Sequence, residues 1–398
     1  MPLTPGVSKL FSPITIPTST GSGLTVRNRA FIAPMCQYSV DARDGIPTDW
    51  HLVHLGAFAQ GGFGLVTTEA TAVEARGRIS PEDVGLWNDE QIPAHRRITD
   101  FIHSQGSVAA VQLAHAGGKA STGSGRNDTT TGSLDADQGG WDTVSSTATP
   151  TVPGLKLPHE LTTAEIADVV KAFADSAIRA DEAGYDAVQL HAAHGYLIHQ
   201  FLSPLVNART DEYGGSAENR TRLIREVADA VRHVWPASKP LGIRLSGTDW
   251  VEGGWDVEAS SRLVDDLVAH HGITWVDVSS GGLVGPDGRV RIPVGPAYQA
   301  PLAARIRAGL DEATHSEEAT HAVGHGTPDA EPTAVVSAVG VIDSGEQAES
   351  LLTLGAADAI SIGRAALRDP HWAASAAKEL HVRAEDNPIA EQFARGGW

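Results

Sequence analysis

The sequence predicts an α/β protein, a (β/α)8 TIM barrel, on three observations. Eight short apolar runs alternate with amphipathic stretches from one end to the other, the pattern of parallel strands joined by crossover helices. At 398 residues the chain could be two ordinary domains, but a barrel commonly runs this long as one, and residues 1–398 are read as a single domain. The chemically equipped residues cluster where the apolar runs end, the face on which barrels carry their active sites.

Taken in order, Ile14-Thr-Ile and Leu24-Thr-Val flank the turn-like Thr18–Gly23, an N-terminal β-hairpin covering the barrel floor. The eight strands are expected at Ala30–Pro34, Leu65–Glu69, Val108–Gln112, Ala187–Leu190, Leu241–Leu245, Trp275–Val278, Ala334–Ala338 and Ala359–Ile362. Helical stretches between them include Thr163–Ala183, opened by Thr162 or Thr163 and closed by Gly184, and Asn219–Val234, stopped by Pro236. Two segments break the rhythm. Residues 122–153 follow the third strand, are rich in Gly, Ser, Thr and Asp, and read as a catalytic-face loop able to act as a lid. Residues 311–332 read as a loop insertion on the opposite face, where His315, His321 and His325 have no strand or helix to fix them as metal ligands.

Hydrophobic residues make up 41% of the chain, enough for a large core, and the net charge of −19 opposes a nucleic-acid or anionic-membrane partner. The single cysteine, Cys36, excludes an internal disulfide framework and any cysteine-ligated cluster. No run of 18 apolar residues and no basic-then-apolar leader pattern is present, so a soluble, cytoplasmic protein is expected.

The most informative segment is His191-Ala-Ala-His194-Gly-Tyr196, which emerges at the end of the fourth strand. Two imidazoles can donate to one carbonyl oxygen and a phenol can supply a proton, a set able to polarise and protonate an electron-poor alkene. The same spacing could form a metal half-site with His199, or simply cap a helix. Other strand ends add Cys36, a weak donor, and Gln112, whose amide suits an imide edge. Arg244, borne on a strand, needs an anionic partner, either a ligand or an acid such as Glu69 or Asp277. Gly340 and Gly363-Arg364 end the last two strands, where barrels build phosphate sites. An aromatic cofactor with an imide edge and a phosphate tail satisfies nearly all of these, and flavin mononucleotide (FMN) is the candidate.

The motifs Ala33-Pro-Met-Cys-Gln-Tyr38, Thr68-Glu-Ala-Thr-Ala-Val73, Gln112-Leu-Ala-His-Ala-Gly117, His191–Pro204, Asp211-Glu-Tyr-Gly-Gly-Ser216, Glu218-Asn-Arg220 and Ile362-Gly-Arg364 resemble the Old Yellow Enzyme family of flavin-dependent ene-reductases, thermophilic-like subclass. The resemblance covers almost the whole chain. It implies non-covalent FMN, reduction by NADPH with NADH as an alternative, and reduction of alkenes activated by a ketone, aldehyde, imide or nitro group. It implies that His191 and His194 hold the activating oxygen, that Tyr196 protonates the α-carbon, and that Cys36 tunes the flavin. Pro34, Met35, Ala70, Gln112, Arg244, Gly340, Gly363 and Arg364 fall on its flavin-contacting positions, and Tyr38 and Ile79 on substrate-contacting ones. It further implies a homo-oligomer, a dimer or an assembly of dimers, in which the tail 391–398 carries Arg395 into a neighbouring active site. The sequence departs from the family in one extra glycine before Trp398 and in Gly118, where an arginine often stands. A flavin-dependent dehydrogenase running toward desaturation is the nearest alternative. A metal-dependent barrel hydrolase would want a His-x-His after the first strand, which instead ends Pro34-Met-Cys-Gln-Tyr38.

Overall fold

Eight parallel strands close into a barrel in the computed structural model, which describes residues 8–126, 132–285, 288–321 and 333–396. They are β1 (Ala30–Ile32), β2 (Leu65–Ala72), β3 (Val108–Ala114), β4 (Ala187–Ala192), β5 (Leu241–Ser246), β6 (Trp275–Ser279), β7 (Val335–Ala338) and β8 (Ala359–Ile362). Each pairs with the next, and β8 returns to β1. Several strands run past their apolar cores. β2 continues to Ala72 across a register shift, and β4 includes His191, so that histidine is a strand residue rather than the first of a loop.

The expected hairpin is present, with Ile14–Ile16 antiparallel to Leu24–Val26. Ile14, Ile16 and Val26 pack under the N-terminal ends of the barrel strands, against Phe31, Leu65 and Trp275. Phe31 meets Trp275 edge-on with centroids 6.0 Å apart. That apolar plug closes the floor and leaves the mouth as the accessible end.

The principal outer helices are α1 (Asp49–Gln60), α2 (Ile92–Ser104), α3 (Thr163–Glu182), α4 (Ala217–Val234), α5 (Val257–His270), α6 (Ala300–His321), α7 (Gly345–Thr353) and α8 (Trp372–Glu379). Helix α3 opens on a capping box in which Thr162 and Glu165 satisfy each other's backbone N–H. Helix α4 begins at Ala217 because Ser216 is its cap, accepting from the Asn219 N–H.

The stretch read as loop 311–332 is corrected in its first part: α6 runs on to His321, and residues 322–332, with His325, lie outside the described residues. Residues 311–321 include three glutamates and two alanines, good helix formers, but no apolar stripe. Segment 122–153 has more order than its composition suggested. It contains a short turn of helix at Ala136–Gln138 and the strand Val144–Ser145, paired with His159–Glu160; residues 127–131 lie outside the described set.

Candidate active site

At the end of β4 the chain turns sharply. His194 adopts a left-handed backbone conformation, φ +61°, and Gly195 follows at +72°. The turn lies flush against the loop after β6. A Cβ on Gly282 would sit 2.0 Å from the His194 carbonyl carbon, so only glycine fits there. The His194 N–H donates to Ser246 Oγ (3.0 Å), and the Gly195 N–H donates to His199 Nδ1 (2.8 Å). His199 Nε2 in turn lies 3.0 Å from Asp249 Oδ1, with both side chains wholly buried. His199 therefore serves the turn as a brace and stands apart from the metal half-site considered from the spacing.

The three rings come together as one wall. The His191 centroid is 5.2 Å from that of His194 and 5.1 Å from that of Tyr196, edge-on in both cases. Burial, then the Arg244 charge, holds both imidazoles well below the usual range, so they are neutral. His191 Nδ1 accepts from the Ala193 N–H (3.3 Å), which puts its proton on Nε2 as a free donor. His194 Nε2 meets Ser279 Oγ at 2.7 Å. Burial is the main force raising the Tyr196 phenol, and it keeps the phenol protonated. Lys119 Nζ sits 4.9 Å from the centre of the Tyr196 ring and donates to the carbonyls of His194 (2.7 Å) and Gly282 (3.2 Å). Burial brings the Lys119 ammonium down to about 8.

Cys36, Tyr38, Ala70 and Ile79 pack with Tyr196 in one small apolar cluster. Burial is the main force raising the Cys36 thiol, reinforced by Glu69. On the other side of the mouth, Pro34, Met35, His194, Arg244, Gly340 and Gly363-Arg364 line a cavity of about 480 Å³. Strand register sets the layer beneath it, placing His191 opposite Arg244 and Arg244 opposite Asp277. Arg244 Nε lies 3.0 Å from Asp277 Oδ2, while Asp277 Oδ1 accepts from Ser337 and Ser361, 2.7 Å each. The anionic partner that Arg244 required is thus Asp277. Glu69 instead accepts from the Gln37 N–H and faces His51.

The residues at the barrel mouth fit a flavin. Gln112 donates to Gln189 Oε1 (2.7 Å), which leaves the buried Gln189 Nε2 without a partner and an amide pair for an imide edge. A Cβ on Gly363 would meet only Met35 Sδ, at 3.8 Å, so backbone there is open to a ligand beside Arg364. Arg395 is exposed on a turn, Glu391–Gly396, that buries none of its residues, and this chain does not bring it to its own cavity. Sequence reasoning missed Asp83 and the Gln299 that lines the cavity, and it read Ser279-Ser-Gly-Gly282 as support for the phosphate site without foreseeing that Ser279 meets His194. Only Ser279, at a strand end, carried a positional signal.

Residues 9–291 match the NADH:flavin oxidoreductase / NADH oxidase family. The chain is 41% identical over 396 residues to an NADH:flavin oxidoreductase of Gibberella zeae, covering 95% of this chain and 87% of the relative. It is 42% identical over 374 residues to an NADPH dehydrogenase of Listeria monocytogenes, covering 94% and 96%. Among solved structures it is similar to morphinone reductase, with a TM-score of 0.68, 25% identity, and coverage of 99% of this chain and 91% of that one.

Proposed function

The chain belongs to the Old Yellow Enzyme family of NADH:flavin oxidoreductases, FMN enzymes that draw on a reduced nicotinamide, and on that premise we propose that it reduces the C=C bond of activated alkenes: unsaturated ketones, aldehydes, maleimides and nitroalkenes. The observation that carries this reading is the wall of two neutral imidazoles and one protonated phenol beside a flavin-sized cavity.

Gln112 and Arg244 would meet the imide edge of FMN, Gly340, Gly363 and Arg364 its phosphate, and Pro34, Met35, Cys36 and Ala70 its ring. When bound, FMN supplies the hydride that reaches the alkene β-carbon. His191 Nε2–H and His194 donate to the activating oxygen and favour the charge that develops on it. Tyr196 delivers a proton to the α-carbon. Tyr38 and Ile79, packed beside Tyr196, shape the substrate pocket. A steady-state assay of NADPH oxidation coupled to loss of cyclohexenone absorbance tests the reading, and NADPH oxidation that no alkene stimulates would refute it.

Arg364→Ala should lose FMN on extensive dialysis, because charge-assisted phosphate bonds are among the strong ones. Flavin absorbance retained at one equivalent per chain would count against the phosphate site.

The tail is read as completing a neighbouring subunit's site. Phe393 is 37% exposed and rests edge-on against His371 with centroids 5.2 Å apart, leaving Arg395 free to reach outward. Removing residues 393–398 should raise KM for alkene or NADPH and weaken self-association without unfolding the barrel. Native kinetics and native sedimentation in the truncated chain would show that the tail has no such role.

A further inference from the structure

Asp83 is a buried carboxylic acid that the reading above leaves without a task. It is 1% exposed. Its Oδ2 accepts from the Ile79 N–H at 2.6 Å, whereas its Oδ1, also buried, has no hydrogen-bond partner. A buried polar oxygen left in this way calls for an explanation. Asp83 also borders a chamber of about 10 Å³, room for one water, whose other walls are Tyr196, Ile79, Gly77 and small alanines. Asp83 and Tyr196 supply the polar groups that such a water needs, in an otherwise apolar shell.

The surroundings of Asp83 favour its neutral form. Burial comes first and the nearby Glu69 carboxylate second in raising it well above the carboxylate range. The N–H groups of Ile79 and Ser80 and the Arg78 guanidinium pull the other way. Cys36, Tyr38 and Tyr196 lie within its electrostatic reach and are themselves held protonated. Asp83 is thus an acid with a proton to give, facing a phenol that must be recharged after every turnover.

We propose that Asp83 reloads Tyr196 through a single water in this chamber. This rests on Tyr196 being the proton donor to the alkene. The Tyr196 O–H bond breaks as the α-carbon–hydrogen bond forms. The phenolate then takes a proton from the water, and the water takes one from Asp83 Oδ1. The resulting carboxylate recovers its proton from solvent once product has left, so each turnover consumes one solvent proton and the residues return to their starting state. Asp83 is not among the residues assigned to substrate or flavin, and it acts only through Tyr196.

The test uses Asp83→Asn, which keeps an oxygen for the Ile79 N–H, is uncharged like the acid it replaces, and has no proton to release. With NADPH and alkene saturating, rapid-quench analysis of the flavin-loaded variant should show one product per site formed at the native rate. A steady state slower than native by roughly ten-fold or more should follow. A native steady state without a burst would overturn the proposal, since Tyr196 then reloads without Asp83. A first turnover as slow as the later ones would also overturn it, assigning Asp83 to site geometry. Tyr196→Phe separates the two readings: a native first turnover there refutes the phenol as donor, whatever Asp83→Asn does. Infrared spectra of the resting native protein at neutral pH give an independent readout. A protonated-acid carbonyl band that shifts on labelling of aspartate with 13C and vanishes in Asp83→Asn is expected, and its absence would refute the reservoir.

Discussion

Tyr196→Phe should slow alkene reduction by about 10²–10⁴-fold while flavin reduction by NADPH keeps its native rate. The substitution removes one oxygen and leaves the ring where it packs, against His191 at 5.1 Å and under Lys119 at 4.9 Å. Neither contact involves the hydroxyl, so the fold has no reason to respond. Stopped-flow measurement of the two half-reactions decides it, and equal slowing of both would mean that the phenol positions ligands instead. Lys119 adds a pH signature. Its ammonium, at about 8, favours a phenolate forming beneath it, and above that pH the charge is lost. The alkene half-reaction should therefore fall as pH rises through about 8, and Lys119→Met should remove that limb.

Arg244→Ala should cost the protein about 3–5 kcal/mol of stability, because it strips the cation from a carboxylate that cannot reach water. Asp277 is 0% exposed, and after the change the Ser337 and Ser361 hydroxyls would be the remaining protein groups bonded to its Oδ1. Replacing Asp277 as well should restore part of the loss, since the double variant buries no lone charge. Urea unfolding of the flavin-free proteins measures both steps. A single-variant loss below about 1 kcal/mol would show that Asp277 is not the charged partner. Flavin affinity should fall in both variants, which separates the role of Arg244 in binding from its role in the barrel.

The barrel was legible because its strands are short apolar runs at regular spacing, and Ile14 and Val26 marked the hairpin by the same alternation. The His191, His194 and Tyr196 cluster was legible because it is local in the chain. What lay beyond reach depends on closure. Arg244 advertised its need for an anion, yet only the β5–β6 register selects Asp277 over Glu69. Asp83 gives no sign in a run of polar residues, because an unpartnered oxygen exists only once Ile79 and Tyr196 have closed around it. The end of α6 was misplaced for the opposite reason: helix propensity without an apolar period looks like loop.

One ammonium changes how the mouth of this barrel can evolve. Barrels are prized as scaffolds because each loop after a strand can be exchanged alone. Here Lys119, just beyond β3, grips the backbone at His194 after β4 and at Gly282 after β6, and roofs Tyr196. The three segments are stitched at a single point, so a graft after β6 made to widen substrate scope would drag the proton donor with it. Loop engineering in this chain should treat 117–119, 193–196 and 281–283 as one cassette and seek diversity in the loops that Lys119 does not hold.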